Sequence, residues 1–139
     1  MTTVMFYQVS GGEAEALKLC FTLISKARQK SLPTYINAAT EQQAHALDEL
    51  LWSAEATAFS GHHLGEPGYP VAIGCDSDPG DHHHYLINLA SAVPSWAGRF
   101  EKLAEIVTDD PDTIVHKRAN FKYYQDRGYP LSYHDLSQR

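Results

Sequence analysis

The chain alternates short runs of β-branched and aromatic residues with longer amphipathic segments, and this alternation constrains its fold more than any other feature. The first run, Val4–Val9, ends at a Ser-Gly-Gly turn, as a buried strand does. In the next segment, 13–30, apolar residues recur at steps of three and four, which predicts a helix. Strands that alternate with helices are typical of a mostly parallel sheet with helices on both faces. We therefore predict a three-layer α/β/α, Rossmann-like domain.

The remaining elements follow from the same patterns and from helix-capping signals. Thr40 and Gln43 have the spacing of a capping box, and Asp110 followed by Pro111 is typical of a helix start. The further predictions are strands at 33–37, 71–73, 85–89 and 103–107, a helix from Thr40 to about Trp52, a loop at 60–70, a short helix at 94–100, and a last helix ended by Gly128.

Length and composition place the chain among ordinary globular proteins. Its 139 residues fit one domain, so we expect a single domain over 1–139. No run approaches the ~18 apolar residues of a membrane span, and no basic segment precedes the first strand as in a signal peptide. Cys20 and Cys75 lie far apart without metal or redox spacing, which favours reduced thiols and a cytoplasmic protein.

The charge distribution argues against a protein whose main task is to grip DNA. The net charge is -6, whereas nucleic-acid binding depends on Lys and Arg that displace counterions from phosphates. Four of the eleven basic residues nevertheless fall in one segment, 117–127. A basic helix in an acidic protein indicates a local site for an acidic partner. These four residues are Lys117, Arg118, Lys122 and Arg127.

Motifs for nucleotide or nucleophilic chemistry are missing from the sequence. The turn at 10–12 stands where a phosphate loop would lie, but it lacks the G-x-G-x-x-G spacing. Glu13 and Glu15 would also repel a pyrophosphate at the helix start. There is no P-loop, no G-x-S-x-G motif and no Cys-x-x-Cys. We therefore expect neither a cofactor nor an intrinsic catalytic activity.

A metal site is the alternative interpretation. The run His82–His84 follows Asp76, Asp78 and Asp81, and imidazole together with carboxylate can hold zinc or another transition metal. Adjacent residues on an extended chain point to opposite sides, so three consecutive histidines are not expected to converge on one ion. A solvated polar loop before a strand explains the run at least as well as a small metal-dependent enzyme does.

Two surfaces favour protein binding. Trp52 and Phe59 lie at or past the end of the second helix, either as a lid on the core or as exposed anchors for a partner, since aromatic residues are frequent interface hot spots. On the last helix, basic and aromatic residues share one side, either as a solvated face or as a site for an acidic, partly apolar peptide. That side carries Ile114, Arg118, Phe121, Lys122 and Gln125.

An ordered set of short motifs along nearly the whole chain resembles the chi subunits of bacterial DNA polymerase III. No single motif is diagnostic, but the order is specific. The set comprises Met5-Phe6-Tyr7, Leu47-Asp48-Glu49, Leu51-Trp52, Phe59, His62, Leu64, Pro70-Val71, Ile73, Leu86-Ile87-Asn88-Leu89, Phe100, Glu105-Ile106-Val107, Arg118, Phe121-Lys122-Tyr123-Tyr124 and Gly128-Tyr129.

The resemblance implies a three-layer α/β/α subunit without catalysis of its own inside a DNA polymerase holoenzyme. Proteins of this family bind the psi subunit, which attaches them to the clamp loader. They also bind the acidic C-terminal tail of single-stranded DNA-binding protein, which has an aspartate-rich stretch and a terminal Phe. Some relatives pair with a repair helicase in place of psi. The resemblance implies that such a subunit contacts DNA only indirectly, through its protein partners.

Carried over by position, the resemblance implies two groups of site residues. Trp52, Phe59 and Leu64 correspond to the psi or helicase surface. Val107, Arg118, Phe121, Lys122 and Gln125 correspond to the tail-binding pocket, with Arg118 on a carboxylate and Val107 and Phe121 around the terminal Phe. Gln125 stands where the family often has Arg, and Ile114 where Lys can occur. Both departures remove positive charge, which implies weaker or less salt-sensitive tail binding.

Overall fold

The structure is a computed structural model that describes residues 2–54, 62–64, 71–75, 78–80 and 82–136, with the backbone alone at 52–54 and 62–64. Among the helices in these ranges, none is long and apolar enough to span a membrane. The elements are β1 (Thr3–Gln8), α1 (Glu13–Gln29), β2 (Thr34–Asn37), α2 (Glu41–Ala54), β3 (His62–Leu64), β4 (Val71–Gly74), β5 (Tyr85–Asn88), a 3-10 turn (Ala97–Arg99), β6 (Lys102–Val107), α3 (Pro111–Asp126) and β7 (Leu131–Asp135).

All seven strands of the described residues join one sheet, in the order β3-β4-β2-β5-β6-β1-β7. Every pair of neighbouring strands is parallel. Crossovers between parallel strands are right-handed, so the direction in which the chain moves along the sheet decides the face on which each helix lies. The step from β1 to β2 and the step from β6 to β7 run in opposite directions, which places α1 and α3 on opposite faces. The predicted three-layer α/β/α fold with a parallel sheet is confirmed.

Two hydrophobic cores follow from the period of two along each strand. Ile36, Ile73 and Ile87 pack with α1 and α2 on one face. Leu86, the neighbour of Ile87, points to the other face, where it packs with Phe6 and the residues of α3. Both faces of the central strands are thus covered, and every residue of β2, β4 and β5 is buried.

Four local features differ from the sequence predictions. The predicted loop at 60–70 contains β3, which pairs with β4, and β7 was not predicted at all. The proposed short helix at 94–100 is a single 3-10 turn at Ala97–Arg99. Helix α2 extends to Ala54, so Trp52 lies inside its last turn rather than past its end. Both missed strands lie at the edges of the sheet, where only one neighbour and one ladder of hydrogen bonds specify a strand.

Both predicted helix caps are present. The Thr40 hydroxyl accepts a hydrogen bond from the Gln43 N–H at 3.0 Å, and the Gln43 side chain accepts one from the Ala39 N–H at 2.7 Å. At the start of α3, the Asp110 carboxylate accepts a hydrogen bond from the Thr113 N–H at 2.9 Å. The cap satisfies one of the backbone donors that a helix start leaves unpaired.

Replacing Asp110 with alanine is expected to lower the free energy of unfolding by about 1 kcal/mol, because a first-turn N–H of α3 loses its acceptor. Chemical denaturation of both proteins measures the difference. Asp110→Asn is the matched control, since asparagine caps as well as aspartate does. Equal destabilisation by Asp110→Asn and Asp110→Ala would show that the cap bond is not the cause.

Candidate functional site

Strands β1 and β6 are neighbours, but the connections that leave their carboxyl ends run in opposite directions along the sheet. Their last residues, Gln8 and Val107, are partners in the register of the two strands. The chain leaves β1 toward one face of the sheet and leaves β6 toward the other. Open parallel sheets commonly bind ligands in the crevice that forms at the carboxyl ends of the strands at such a point.

A cavity of about 360 Å³ lies at this point, between the sheet and α3. Its size falls within the ~300–1,000 Å³ range of ligand pockets. Residues of β1 and β6 line its floor, residues of α3 line one side, and Tyr133 of β7 lines the other side. The lining residues are Phe6, Gln8, Val107, Ile114, Lys117, Arg118, Phe121 and Tyr133.

Three aromatic rings define the apolar part of this cavity. The Phe6 ring lies 5.2 Å from Phe121 and 6.1 Å from Tyr133, and it is stacked on Tyr133 with 10° between the ring planes. The Tyr133 hydroxyl donates a 2.6 Å hydrogen bond to Gln8 Oε1, which fixes the ring although half of its surface is exposed. A flat apolar group that enters the cavity therefore contacts aromatic rings from β1, α3 and the edge strand β7.

One exposed cation of α3 lines the cavity beside these rings. Arg118 is exposed and lines the cavity. It lies close enough to Tyr133 to oppose the rise in the pKa of that hydroxyl, which burial and Asp135 produce. A guanidinium beside an apolar, aromatic cavity suits a ligand that carries a carboxylate next to a flat hydrophobic group.

The structure brings together three of the five residues assigned to this site from sequence. Val107, Arg118 and Phe121 line the cavity, and Ile114 lines it with them. Lys122 and Gln125 are exposed on α3 but are not among the lining residues. The Lys122 amino group instead lies 3.9 Å from the Asp126 carboxylate, one helical turn further along. Lys122 and Gln125 are therefore outside the cavity itself.

Sequence reasoning missed the lining residues that come from β1 and β7. Phe6 and Gln8 are two apart in β1, so the period of the strand already placed them on one side. Tyr133 belongs to β7, which was not predicted. Its signal was the alternation of Leu131 and Tyr133 after Pro130, a strand pattern too short to stand out.

A buried polar network fixes α3 on the sheet directly beneath the cavity. The Glu105 carboxylate accepts hydrogen bonds from Lys117 Nζ at 2.6 Å, from the Tyr124 hydroxyl at 2.6 Å and from Asn88 Nδ2 at 3.1 Å. Lys117 Nζ also donates to the Ala90 carbonyl at 2.6 Å. Burial, together with the adjacent Glu105 carboxylate, raises the pKa of Tyr124. The tyrosine therefore stays protonated and remains a donor.

This network corrects the interpretation of the last helix as a strongly basic surface. Lys117 is 2% exposed and forms an ion pair with Glu105, which is fully buried. Arg127 lies over the Tyr123 ring, with the guanidinium carbon 3.7 Å from the ring centroid. Of the four basic residues at 117–127, only Arg118 lines the cavity as an exposed cation.

The turn after β1 shows why a phosphate is not favoured there. The Gly11 N–H donates a 2.7 Å hydrogen bond to the Asp109 carboxylate, and the Asp109 N–H donates to the Gly11 carbonyl at 2.9 Å. The loops after β1 and β6 are therefore joined, and a carboxylate already occupies a backbone donor that a phosphate would need.

The three consecutive histidines do not converge on one point. His82 is buried and its ring packs 5.8 Å from Tyr35. His83 and His84 lie toward solvent with their ring centroids 4.1 Å apart. The expectation that neighbouring side chains alternate holds for His82, but not for the other pair, because the chain bends at His84.

The second predicted surface is described in part. Trp52 lies in α2, and Leu64 is the last residue of β3, which pairs with β4. The side chains of both residues and the whole of Phe59 lie outside the described part of the chain. The assignment of these residues to a partner surface stays a prediction.

These features define a parallel α/β protein with an aromatic cavity, lined by the Arg118 guanidinium, at the carboxyl ends of β1 and β6. A family model described as "DNA polymerase III chi subunit, HolC" matches residues 1–132. The chain is also 36% identical over 139 residues to the DNA polymerase III subunit chi of Pseudomonas aeruginosa, covering 98% of both chains. The chain therefore belongs to the DNA polymerase III chi subunit family. Members of this family are replication accessory subunits that associate with other components of the polymerase.

Proposed function

We propose that this chain bridges the clamp loader of DNA polymerase III to the acidic C-terminal tail of single-stranded DNA-binding protein, and that it reaches the clamp loader through psi. The observation that carries the proposal is the cavity beside α3, where three aromatic rings face Arg118. A peptide that ends in phenylalanine carries an aromatic ring and a carboxylate on the same residue, and the cavity offers a partner for each. Such a bridge would work in the cytoplasm, at the replication fork.

The apolar half of the tail fits the floor of the cavity. Val107 and Phe6 lie on neighbouring strands, and Phe121 closes the side toward α3. A phenyl ring inserted there exchanges water for edge and face contacts with the existing rings, each worth ~0.5–1.5 kcal/mol beyond the area it buries. Burial of the terminal ring therefore contributes to the affinity.

The charged half of the tail depends on Arg118. The guanidinium can hold a carboxylate through two parallel hydrogen bonds. Lys117 cannot assist, because Glu105 and the Ala90 carbonyl already accept its hydrogen bonds. Ile114 and Gln125 add no positive charge, so binding is expected to depend less on salt than a strongly basic site would. Lys122, which is exposed outside the cavity, is proposed to meet the acidic residues that precede the terminal Phe.

The link to psi is proposed for a separate surface around Trp52, Phe59 and Leu64. Strand β3, which follows α2 in the chain, is one edge of the sheet. The cavity borders β1 and β7, at the other edge. The separation along the sheet allows both partners to bind at the same time. A repair helicase that takes the place of psi would use the same surface.

Separate surfaces predict separable defects. Replacing Trp52 or Phe59 with alanine is expected to weaken psi binding by tenfold or more, as truncation of an aromatic hot spot does, and to leave binding of the tail peptide unchanged. Both interactions are measured by calorimetry on the same purified variants. Arg118→Ala is the reciprocal control, which should keep psi binding.

The bridge itself is tested by sedimentation of mixtures of the chain, psi and single-stranded DNA-binding protein. The proposal predicts one complex that contains all three. Two binary complexes that exclude each other would contradict a bridge, as would loss of both interactions in a folded Trp52→Ala variant.

A further inference from the structure

We propose that His83, His84 and Glu101 form a binding site for a divalent transition-metal ion such as Zn²⁺. One ligand atom of each residue lies within 4.8 Å of the ligand atoms of the other two. Each side chain is at least partly exposed, so an ion can reach the group from solvent. The site uses two of the three consecutive histidines together with a glutamate that lies 17 residues further along the chain.

The pairing of two strands creates this group. Tyr85 and Lys102 are partners in the parallel register of β5 and β6. The Lys102 N–H donates to the His84 carbonyl, and the Glu101 N–H donates to the His83 carbonyl, both at 3.0 Å. The pairing thus continues beyond the start of both strands and sets His84 beside Glu101. The bend at His84 then turns the His83 ring to within 4.1 Å of the His84 ring, centroid to centroid.

The donor set fits the preferences of zinc and its neighbours. Two imidazole nitrogens and one carboxylate oxygen are ligands that these ions take in proteins, with a water molecule in the fourth position. Tetrahedral ligands on a zinc ion lie about 3.4 Å from one another. Exposed side chains reach that spacing by small rotations about their χ angles, while the paired backbone segments stay in place.

The site is distinct from the proposed tail-binding cavity. His83, His84 and Glu101 lie just before the amino ends of β5 and β6, whereas the cavity lies at the carboxyl ends of β1 and β6. A bound ion would cross-link the entry segments of two central strands. Because folding creates the site, binding of the ion stabilises the folded chain.

The test is calorimetric titration of the untagged, chelator-treated full chain with Zn²⁺. We expect one ion per chain. Replacing His83 or His84 with alanine, or Glu101 with glutamine, should weaken the affinity at least tenfold, since changes that only support a metal ligand already cost ~10–100-fold. His45→Ala and His116→Ala are the matched controls, because both histidines are exposed on other elements, α2 and α3.

A second measurement follows thermal unfolding with and without Zn²⁺. The ion should raise the midpoint of the parent chain and of the two control variants, and leave that of a His83→Ala, His84→Ala double variant unchanged. Zinc affinity that survives the double variant, or that falls in the control variants instead, would overturn the assignment of the site.

Discussion

Replacing Lys117 with methionine is expected to lower the free energy of unfolding by ~3–5 kcal/mol, the usual cost of removing one member of a buried ion pair. Lys117 is 2% exposed and Glu105 is fully buried, with 2.6 Å between Nζ and Oε1. Without the lysine, the Glu105 carboxylate keeps hydrogen bonds from Tyr124 and Asn88 but loses the opposite charge. Chemical denaturation followed by circular dichroism measures the loss.

Two further variants show whether the buried charge is the cause. Lys122→Met makes the same chemical change on the same helix, but Lys122 is 76% exposed and faces Asp126 at 3.9 Å. Such exposed pairs are worth about 0.5 kcal/mol or less. Glu105→Gln combined with Lys117→Met should recover part of the lost stability, because no unpaired charge is left. Equal effects of Lys117→Met and Lys122→Met would contradict the assigned role of the network.

Replacing Arg118 with alanine is expected to weaken binding of an acidic peptide that ends in phenylalanine by a factor on the order of 10 to 100, the value of a charge-assisted hydrogen bond. Arg118 is exposed and is not part of the Glu105 network, so the free energy of unfolding should change little. Fluorescence anisotropy with a labelled peptide measures the affinity.

Arg127→Ala is the matched control for this experiment. Arg127 has the same charge and lies at the end of the same helix, but its guanidinium lies over Tyr123 and does not line the cavity. If net charge alone attracted the peptide, the two substitutions would weaken binding equally. That result would remove Arg118 from the role proposed here.

The layers of the fold could be predicted because strand and helix periods are local signals. The alternation at Leu86 and Ile87 and the caps at Thr40 and Asp110 depend only on nearby residues. The edge strands could not be predicted in the same way. β3 has three residues, and three of the five residues of β7 are exposed, so neither carries the apolar run that marks a central strand.

The residues of the site likewise divide into those that local sequence predicts and those that only the fold brings together. Arg118 and Phe121 could be selected from sequence because they share a helix face and because the family resemblance assigns them a role. The burial of Lys117 could not be predicted, because Lys117 and Arg118 are adjacent on the helix and carry the same charge. Only the fold shows that Lys117 meets Glu105, while Arg118 faces the cavity. Phe6 and Tyr133 line the cavity because β1 pairs with β6 and with β7, and these pairings join residues that are distant in sequence.

We propose that the cavity beside α3 binds a terminal phenylalanine through both its ring and its carboxylate. The decisive experiment is calorimetric titration of the chain with the C-terminal peptide of the organism's own single-stranded DNA-binding protein, with and without its last residue. We predict that the full peptide binds one to one, and that removal of the terminal Phe weakens binding by at least tenfold, since both the ring and its carboxylate lose their partners. Equal affinity of the two peptides would contradict the claim.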